Sequence, residues 1–223
     1  LLRLAAEKDA AFLQVSTIRV LEDAPPDSPH VAYVEGKRKA EELCVEYFRS
    51  RGTSVKIARL FNVYGPKMAL DDSRVVPQFV RNALKDEPLR IVANGQQRDS
   101  FCYVDDIIDG LMAYMDSDVK LGPITFGYPE TVTIYDLARA VVEIVGSLSP
   151  IGHREWVNEF PFQYKNERII VNGMDRSANE MAAKMTRPTP DISEARDKLG
   201  WEPKVPLDVG LMKLADYYCE VMK

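Results

Sequence analysis

The sequence has few of the residues that build metal sites and disulfide frameworks. Its 223 residues include three cysteines (Cys44, Cys102 and Cys219) and two histidines (His30 and His153). Because the cysteines are scattered and odd in number, a disulfide framework is not expected and a reducing compartment is favoured. The sequence also has no Cys-x-x-Cys or His-Glu-x-x-His spacing, so we expect no metal site.

Long apolar runs and an excess of positive charge are missing as well. No run of roughly 18 apolar residues occurs and no signal peptide is visible, so we expect no membrane span. The chain carries 29 Lys+Arg against 34 Asp+Glu, a net charge of −5, which argues against binding to the phosphate backbone of nucleic acid. We therefore expect a cytoplasmic protein without a nucleic-acid partner. The chain begins with Leu1 rather than Met, so we expect a fragment of a longer protein, and an upstream signal or anchor would change the expected location.

The order of apolar segments predicts an α/β fold. Residues 11–16 form a short apolar run typical of a buried strand, and residues 54–60 form a second. Between them, residues 33–51 have apolar positions at helical spacing, and Gly52 is a typical helix stop. A strand–helix–strand unit implies a parallel sheet covered by helices.

Beyond Pro66 the periodicity predicts further helices and strands of the same kind. The expected helices cover about 76–84, 104–115 and 134–145, with strands at 89–92 and 123–126 and two short helices between 191 and 223. The stretch 147–191 has no strong period, apart from a candidate strand at 168–171.

The sharpest chemical feature is Tyr33 and Lys37, four residues apart at the start of a predicted helix. Residues at this spacing share one helical face. A lysine ammonium beside a phenol favours the phenolate, which makes tyrosine a usable base near neutral pH. Thr17 ends the preceding strand, and its hydroxyl could orient the same substrate alcohol.

Two motifs resemble the extended short-chain dehydrogenase/reductases that act on nucleotide sugars. They are Tyr33-x-Glu-Gly-Lys-Arg-x-Ala-Glu41 and Ala58-Arg-Leu-Phe-Asn-Val-Tyr-Gly-Pro66. Further matching segments follow in order: Arg74-Val-Val, Ser100-Phe-Cys-Tyr-Val-Asp-Asp-Ile, Gly127-Tyr-Pro-Glu, Pro190-Asp-Ile and Leu199-Gly-Trp-Glu-Pro. Within that superfamily the chain most resembles the UDP-glucuronate decarboxylases, which are also called UDP-xylose synthases.

The resemblance implies a partial Rossmann-like, doubly wound parallel sheet with a smaller C-terminal substrate-binding lobe. Residues 1–66 would be the C-terminal part of the dinucleotide-binding domain. Residues 67–223 would be mainly the substrate-binding lobe, with about 100–126 returning to the Rossmann domain. Members of the family usually dimerise through a four-helix bundle that includes the Tyr-Lys helix, so a homodimer is implied.

The implied reaction is the NAD-dependent decarboxylation of UDP-glucuronate to UDP-xylose through a 4-keto intermediate. Tyr33 would deprotonate the sugar 4-hydroxyl, and Lys37 would lower the pKa of Tyr33 and hold the nicotinamide ribose. Thr17 would hydrogen-bond the same hydroxyl, and Val63 would meet the nicotinamide through its backbone.

The resemblance also implies a set of groups that bind the UDP-sugar. Asn62 would hold the substrate near its diphosphate, and Arg74 would contact the nucleotide end. Arg98 is a weaker diphosphate candidate. The family's arginine stands two residues before the phenylalanine of a Gln-x-Arg-x-Phe segment, where this chain has Asp99. Because a one-residue slip on a strand turns a side chain to the other face, Arg98 is displaced. A similar shift affects Arg187.

The chain departs from the family in three further ways. Its 12 glycines form no Gly-rich dinucleotide loop, so no such helix N-terminus is available for the pyrophosphate. Arg19 stands where the family has a glutamate that is a candidate acid or base, and arginine cannot exchange a proton at neutral pH. The segment between Thr17 and Tyr33 is shorter than in the family, and part of the substrate pocket usually comes from there.

These departures leave two alternatives to a decarboxylase. The chain could be a nucleotide-sugar 4-epimerase or 4,6-dehydratase, of which simple 4-epimerisation needs the missing glutamate least. It could also be a truncated or degenerate chain without catalytic activity.

Overall fold

The computed structural model describes residues 1–22, 30–153 and 176–223. The chain divides into two compact units. Unit 1 comprises Leu1–Val63, Asp105–Pro129 and Pro190–Lys204, and unit 2 comprises Tyr64–Val104, Glu130–Thr189 and Val205–Lys223.

The helices and strands alternate along the chain in the way typical of α/β proteins. The strands are β1 Phe12–Thr17, β2 Val55–Leu60, β3 Asn62–Tyr64, β4 Leu89–Ile91, β5 Arg98–Asp99, β6 Phe101–Tyr103, β7 Leu121–Phe126, β8 Val132–Thr133 and β9 Ile151–His153. The α-helices are α1 Leu2–Glu7, α2 Val31–Arg51, α3 Val75–Leu84, α4 Val104–Asp116, α5 Ile134–Val145, α6 Arg176–Met185, α7 Ser193–Leu199 and α8 Leu207–Val221. A short 3₁₀ helix, Ile18–Leu21, follows β1.

Unit 1 is built on a parallel sheet in the order β1-β2-β7. Strand β1 pairs with β2 in unbroken register from Phe12 opposite Val55 to Thr17 opposite Leu60. The carboxyl ends of the two strands therefore meet at one edge of the sheet.

Helices cover both faces of this sheet. On one face, Cys44 of α2 packs in a cluster with Val55 and Ile57. Side chains alternate along a strand, so the residues between them face the other way. On that second face, Phe126 lies 4.9 Å from the ring of Trp201 and 6.2 Å from the ring of Tyr114, both measured between ring centroids.

Unit 2 has a helical core in which α3, α5 and α8 pack against one another. Its apolar side chains occur at helical spacing on each helix, and its fully buried members include Phe79, Leu137, Val141, Leu211 and Leu214. Two small sheets accompany the helices: β4 pairs parallel with β9, and β5 pairs antiparallel with β8.

The structure confirms the predicted α/β class with a parallel, doubly wound sheet. The two predicted strands around the Tyr-Lys helix are β1 and β2, and the helix between them is α2. That helix ends at Gly52, whose φ of 65° is the left-handed conformation that glycine adopts at low cost. The functional assignment of residues 1–66 and 67–223 to cofactor and substrate stays a prediction.

Two segments differ from the expected secondary structure. The stretch expected to be irregular contains β9 and α6, whose polar surfaces gave no clear period. The second of the two expected short C-terminal helices, α8, has 15 residues. In unit 1, Trp201 donates its indole N–H to the carbonyl of Asp106 at 2.8 Å. The candidate strand at 168–171 lies outside the described residues.

Candidate active-site residues in two units

Thr17 is the last residue of β1 and is largely buried. Its Oγ1 accepts a hydrogen bond from the backbone N–H of Arg19 at 3.4 Å and so caps the 3₁₀ helix that follows. Arg19, the residue that stands in place of the family's glutamate, therefore lies in the first turn after the strand. The structure places both residues at the carboxyl end of β1.

Tyr33 and Lys37 lie on the first two turns of α2. The Lys37 Nζ donates to the carbonyl of Val15 at 2.9 Å, which ties the helix to β1 two residues before Thr17. The same Nζ lies 5.9 Å from the centroid of the Tyr33 ring, and the Tyr33 side chain is half exposed. Lys37 thus lies near the carboxyl end of β1 and close to the Tyr33 ring, and the catalytic roles of the two residues stay a prediction.

Arg38, which was not predicted as a site residue, fixes the segment after Thr17. Its Nε donates to the carbonyl of Val20 at 2.8 Å, and its Nη2 donates to the carbonyl of Glu22. Arg38 also pairs with Glu35 on its own helix. Its position directly after Lys37 in the Glu-Gly-Lys-Arg motif was the available signal.

Asn62 and Val63 follow the carboxyl end of β2 and are half-buried. Because Thr17 pairs with Leu60 across the sheet, Asn62 comes two residues after a partner of Thr17. In parallel α/β sheets this edge is where ligands bind. The four predicted groups of unit 1 that flank this edge are Thr17, Lys37, Asn62 and Val63.

Arg74 lies in unit 2, directly before α3. Its guanidinium forms a bidentate ion pair with Asp72, with Nε 3.0 Å from Oδ1 and Nη2 2.6 Å from Oδ2. The Arg74 backbone N–H also donates to Asp72 Oδ1 at 2.9 Å. The sequence analysis did not identify Asp72 as a partner, although an Asp-x-Arg spacing before a helix is a recognisable signal.

Arg98 and Asp99 are adjacent on β5 and have different partners. Arg98 donates to Thr131 through Nε to Oγ1 at 3.0 Å and through Nη2 to the carbonyl at 2.6 Å. The carboxylate of Asp99 is 2.5 Å from Nη1 of Arg187. Asp99, which stands in the place of the family's arginine, thus forms a largely buried ion pair with Arg187, the second arginine expected to be shifted.

The face of α2 that carries Arg38 and Glu42 borders a groove of about 680 Å³. Its floor includes a bidentate ion pair in which Arg59 donates to Glu41 at 3.0 and 2.6 Å. Three arginines and three glutamates line the groove, so its surface is charged but balanced.

The part of the chain that the structure describes contains neither a cluster of metal ligands nor a helix that could span a membrane. Within residues 1–22, 30–153 and 176–223, no three His, Cys, Asp or Glu side chains are grouped as metal ligands. No helix in those ranges combines the length and the apolar composition needed to cross a membrane.

A parallel sheet with helices on both faces and a Tyr-Lys helix at its carboxyl edge defines a Rossmann-like α/β protein. Residues 1–126, more than half of the chain, match the NAD dependent epimerase/dehydratase family. The chain belongs to this family.

Curated relatives point to one branch of the family. UDP-glucuronic acid decarboxylase 1 of Arabidopsis thaliana is 34% identical over 227 residues, covering 96% of this chain and 46% of that protein. UDP-glucuronic acid decarboxylase 5 of the same plant is 41% identical over 179 residues, covering 80% of this chain and 45% of that protein. The chain thus spans less than half the length of these relatives.

Solved structures show the same fold. The UDP-glucose 4-epimerase of Thermotoga maritima, solved with UDP-glucose, has a TM-score of 0.79 at 22% identity and covers all of this chain and 68% of that one. The UDP-glucuronic acid 4-epimerase of Bacillus cereus, solved with NAD, has a TM-score of 0.76 at 24% identity and covers 100% of this chain and 66% of that one. At these identities the likeness concerns the fold.

Proposed function

We propose that the protein uses NAD to decarboxylate UDP-glucuronate to UDP-xylose. The observation that supports the proposal is the hydrogen bond from Lys37 Nζ to the carbonyl of Val15, which holds Lys37 near the carboxyl end of β1. The decarboxylase relatives support the choice of reaction within the family.

The residues at this edge fit the nicotinamide end of NAD. Lys37 would offer an ammonium, Thr17 a hydroxyl and Val63 its backbone groups, and this set suits ribose hydroxyls and a carboxamide. The 223 residues contain no Gly-rich loop for the pyrophosphate, so the fit covers one end of the cofactor. Bound NAD would supply reversible hydride transfer at the sugar C4.

The chain's own groups move the proton and orient the sugar. Tyr33 accepts the proton of the 4-hydroxyl, and the Lys37 ammonium stabilises the resulting charge on the phenol oxygen. Thr17 accepts or donates a hydrogen bond at the same hydroxyl. The 4-keto sugar is a β-keto acid, so the carboxylate leaves as carbon dioxide because the remaining electron pair is delocalised into the carbonyl.

Three further polar residues are proposed to bind the UDP part of the substrate. Asn62 of unit 1 holds the substrate near the diphosphate. In unit 2, Arg74 contacts the nucleotide end and Arg98 is the weaker diphosphate ligand, since Thr131 already accepts two of its hydrogen bonds.

We also propose that the protein is a homodimer that associates through the outer face of α2. The charged groove on this face, with Arg38 and Glu42 at its border, can pair with its own copy about a twofold axis because both signs of charge are present. The sedimentation coefficient of the purified protein tests this association.

One observation favours a second candidate, a nucleotide-sugar 4-epimerase. Arg19 follows Thr17 in the position where the family has a carboxylate, and simple epimerisation at C4 needs that carboxylate least. The two candidates share Tyr33 and Lys37 and differ in the step that follows oxidation.

The test is to incubate the purified protein with NAD and UDP-glucuronate and to measure carbon dioxide and UDP-pentose. Tyr33→Phe is expected to lower kcat by roughly 10²–10⁴-fold because the general base is lost. Tyr47→Phe, on the same helix, is the matched control and should leave kcat unchanged. Conversion of UDP-glucuronate to its C4 epimer without release of carbon dioxide would favour the second candidate. No turnover of any UDP-sugar would favour the inactive chain.

A further inference from the structure

The loop before α3 carries an arginine whose orientation is fixed by a neighbouring carboxylate. Four hydrogen bonds join Arg74 to Asp72: three from the guanidinium at 3.0, 3.1 and 2.6 Å and one from the backbone N–H at 2.9 Å. The bidentate pair occupies the Nε–Nη2 edge of the guanidinium and sets its plane.

The carboxylate itself sits on an anchored loop. The Asp72 backbone N–H donates to the carbonyl of Ala69 at 3.1 Å, and that carbonyl also accepts the hydroxyl of Tyr218 at 3.1 Å. The neighbouring carbonyl of Leu70 accepts Arg81 Nη1 at 2.8 Å. Tyr218 and Arg81 belong to α8 and α3, so two of the three helices of the unit 2 core hold the loop in place.

Exposure differs sharply between the two partners. The Asp72 side chain is 17% exposed, whereas the Arg74 side chain is 60% exposed. The hydrogen bonds and charge of Arg74 hold the pKa of Asp72 below its usual value, so the carboxylate stays ionised at neutral pH. The Arg74 guanidinium is therefore accessible to solvent, whereas the Asp72 carboxylate is largely buried.

We propose that Asp72 is a positioning residue that holds the Arg74 guanidinium ready to bind a phosphate group of the nucleotide. The proposal rests on the proposed function, in which Arg74 contacts the nucleotide end of the substrate. A free arginine side chain loses rotamer freedom when it binds an anion, and a guanidinium already fixed by Asp72 has lost that freedom beforehand. Asp72 thus raises affinity through geometry, although its own charge opposes an anion.

The test measures the dissociation constants of UDP and uridine by calorimetry. Asp72→Asn is expected to weaken UDP binding about three- to tenfold, which corresponds to the cost of ordering one long side chain. Arg74→Gln should weaken it further. Uridine, which has no phosphate, should bind Asp72→Asn as it binds the unaltered protein. Asp71→Asn removes the same charge one residue away and is the matched control, with no expected change in UDP affinity.

A double-mutant cycle separates positioning from a general structural role. If Asp72 acts through Arg74, Asp72→Asn has no further effect on UDP affinity when Arg74 is already Gln. In the enzyme assay, Asp72→Asn should raise KM for the UDP-sugar and leave kcat unchanged. A change in thermal stability alone would not produce this pattern.

Several outcomes overturn the proposal. Tighter UDP binding by Asp72→Asn would mean that the carboxylate only neutralises Arg74. Equal weakening with and without Arg74 would mean that Asp72 acts on the fold of the loop. UDP binding that is insensitive to both substitutions would overturn the positioning role alone, whereas an unaltered protein that binds no UDP would overturn the proposed function with it.

Discussion

Lys56 is a buried cation on the sheet of unit 1 that takes no part in the proposed chemistry. Only 2% of it is exposed, and its Nζ donates to the carbonyls of Tyr114 and Ser117 at 2.6 Å each and of Val119 at 2.9 Å. These carbonyls lie at the carboxyl end of α4 and in the turn after it, where a helix has unpaired acceptors and a partial negative charge. The Lys56 ammonium therefore caps the carboxyl end of α4.

Replacing Lys56 should lower the free energy of unfolding. Lys56→Met keeps the length of the side chain but leaves buried carbonyls without donors, so we expect the free energy of unfolding to fall by about 2–5 kcal/mol. Urea unfolding followed by circular dichroism measures the change. Lys120→Met, at an exposed lysine of the same unit, is the control and should change it by less than about 0.5 kcal/mol. Equal effects at the two sites would contradict the capping role.

At the scale of helices and strands, Gly110 sets how closely α4 approaches its neighbours. A Cβ at this position would lie 2.7 Å from Phe126 Cε1 and 2.9 Å from Trp201 Cε2, closer than side-chain carbons pack. Both rings are buried in the core of unit 1. The helix can therefore reach the sheet only because this residue has no side chain.

Adding one methyl group here should strain the core. Gly110→Ala is expected to lower the free energy of unfolding by about 1–3 kcal/mol, because the rings of Phe126 and Trp201 must move. Gly36→Ala is the matched control, since a Cβ at Gly36 in α2 meets nothing within 4 Å. That control should raise stability by up to about 1 kcal/mol, the usual gain of alanine over glycine in a helix. Thermal or urea denaturation of both variants decides the comparison.

The local pattern of the sequence predicts the helices and strands well, because these depend mainly on interactions between residues close together in the chain. The apolar stripe that ends at Gly52 corresponds to α2, and the spacing of Tyr33 and Lys37 places both on that helix. The contacts between distant segments follow from the three-dimensional path of the chain. Asp99 and Arg187 are 88 residues apart in the sequence. Local patterns therefore do not predict their ion pair, which forms only in the folded chain.

The same limit applies to the candidate site. Thr17, Lys37 and Asn62 can be assigned to one edge from the sequence because parallel strands put their carboxyl ends together. The anchor of Lys37 on Val15 and the pairing of Arg74 with Asp72 depend on side-chain rotamers. No periodicity records those rotamers, so the partners emerge only from the structure.

At the scale of the whole molecule, two of the three cysteine thiols are buried and one is exposed. Cys44 in unit 1 and Cys102 in unit 2 are fully buried, whereas Cys219 on α8 is exposed. Burial, helped by the charge of Glu41, raises the pKa of the Cys44 thiol from 9.0 to about 11. Each unit thus has one buried thiol, and reaction of that thiol would show that its unit has unfolded.

This arrangement predicts a distinct labelling pattern, since the thiolate is the reactive form of cysteine. In the native protein at pH 9, where an unperturbed thiol is about half ionised, we expect a maleimide to modify Cys219 and to leave Cys44 unmodified because its raised pKa and its burial both suppress attack. Cys102 should be protected by burial alone. In denaturant all three should react, and mass spectrometry of the digested protein counts them. Cys219→Ser should abolish native labelling; modification of native Cys44 at the rate of Cys219 would show that the core of unit 1 opens far more readily than its packing implies.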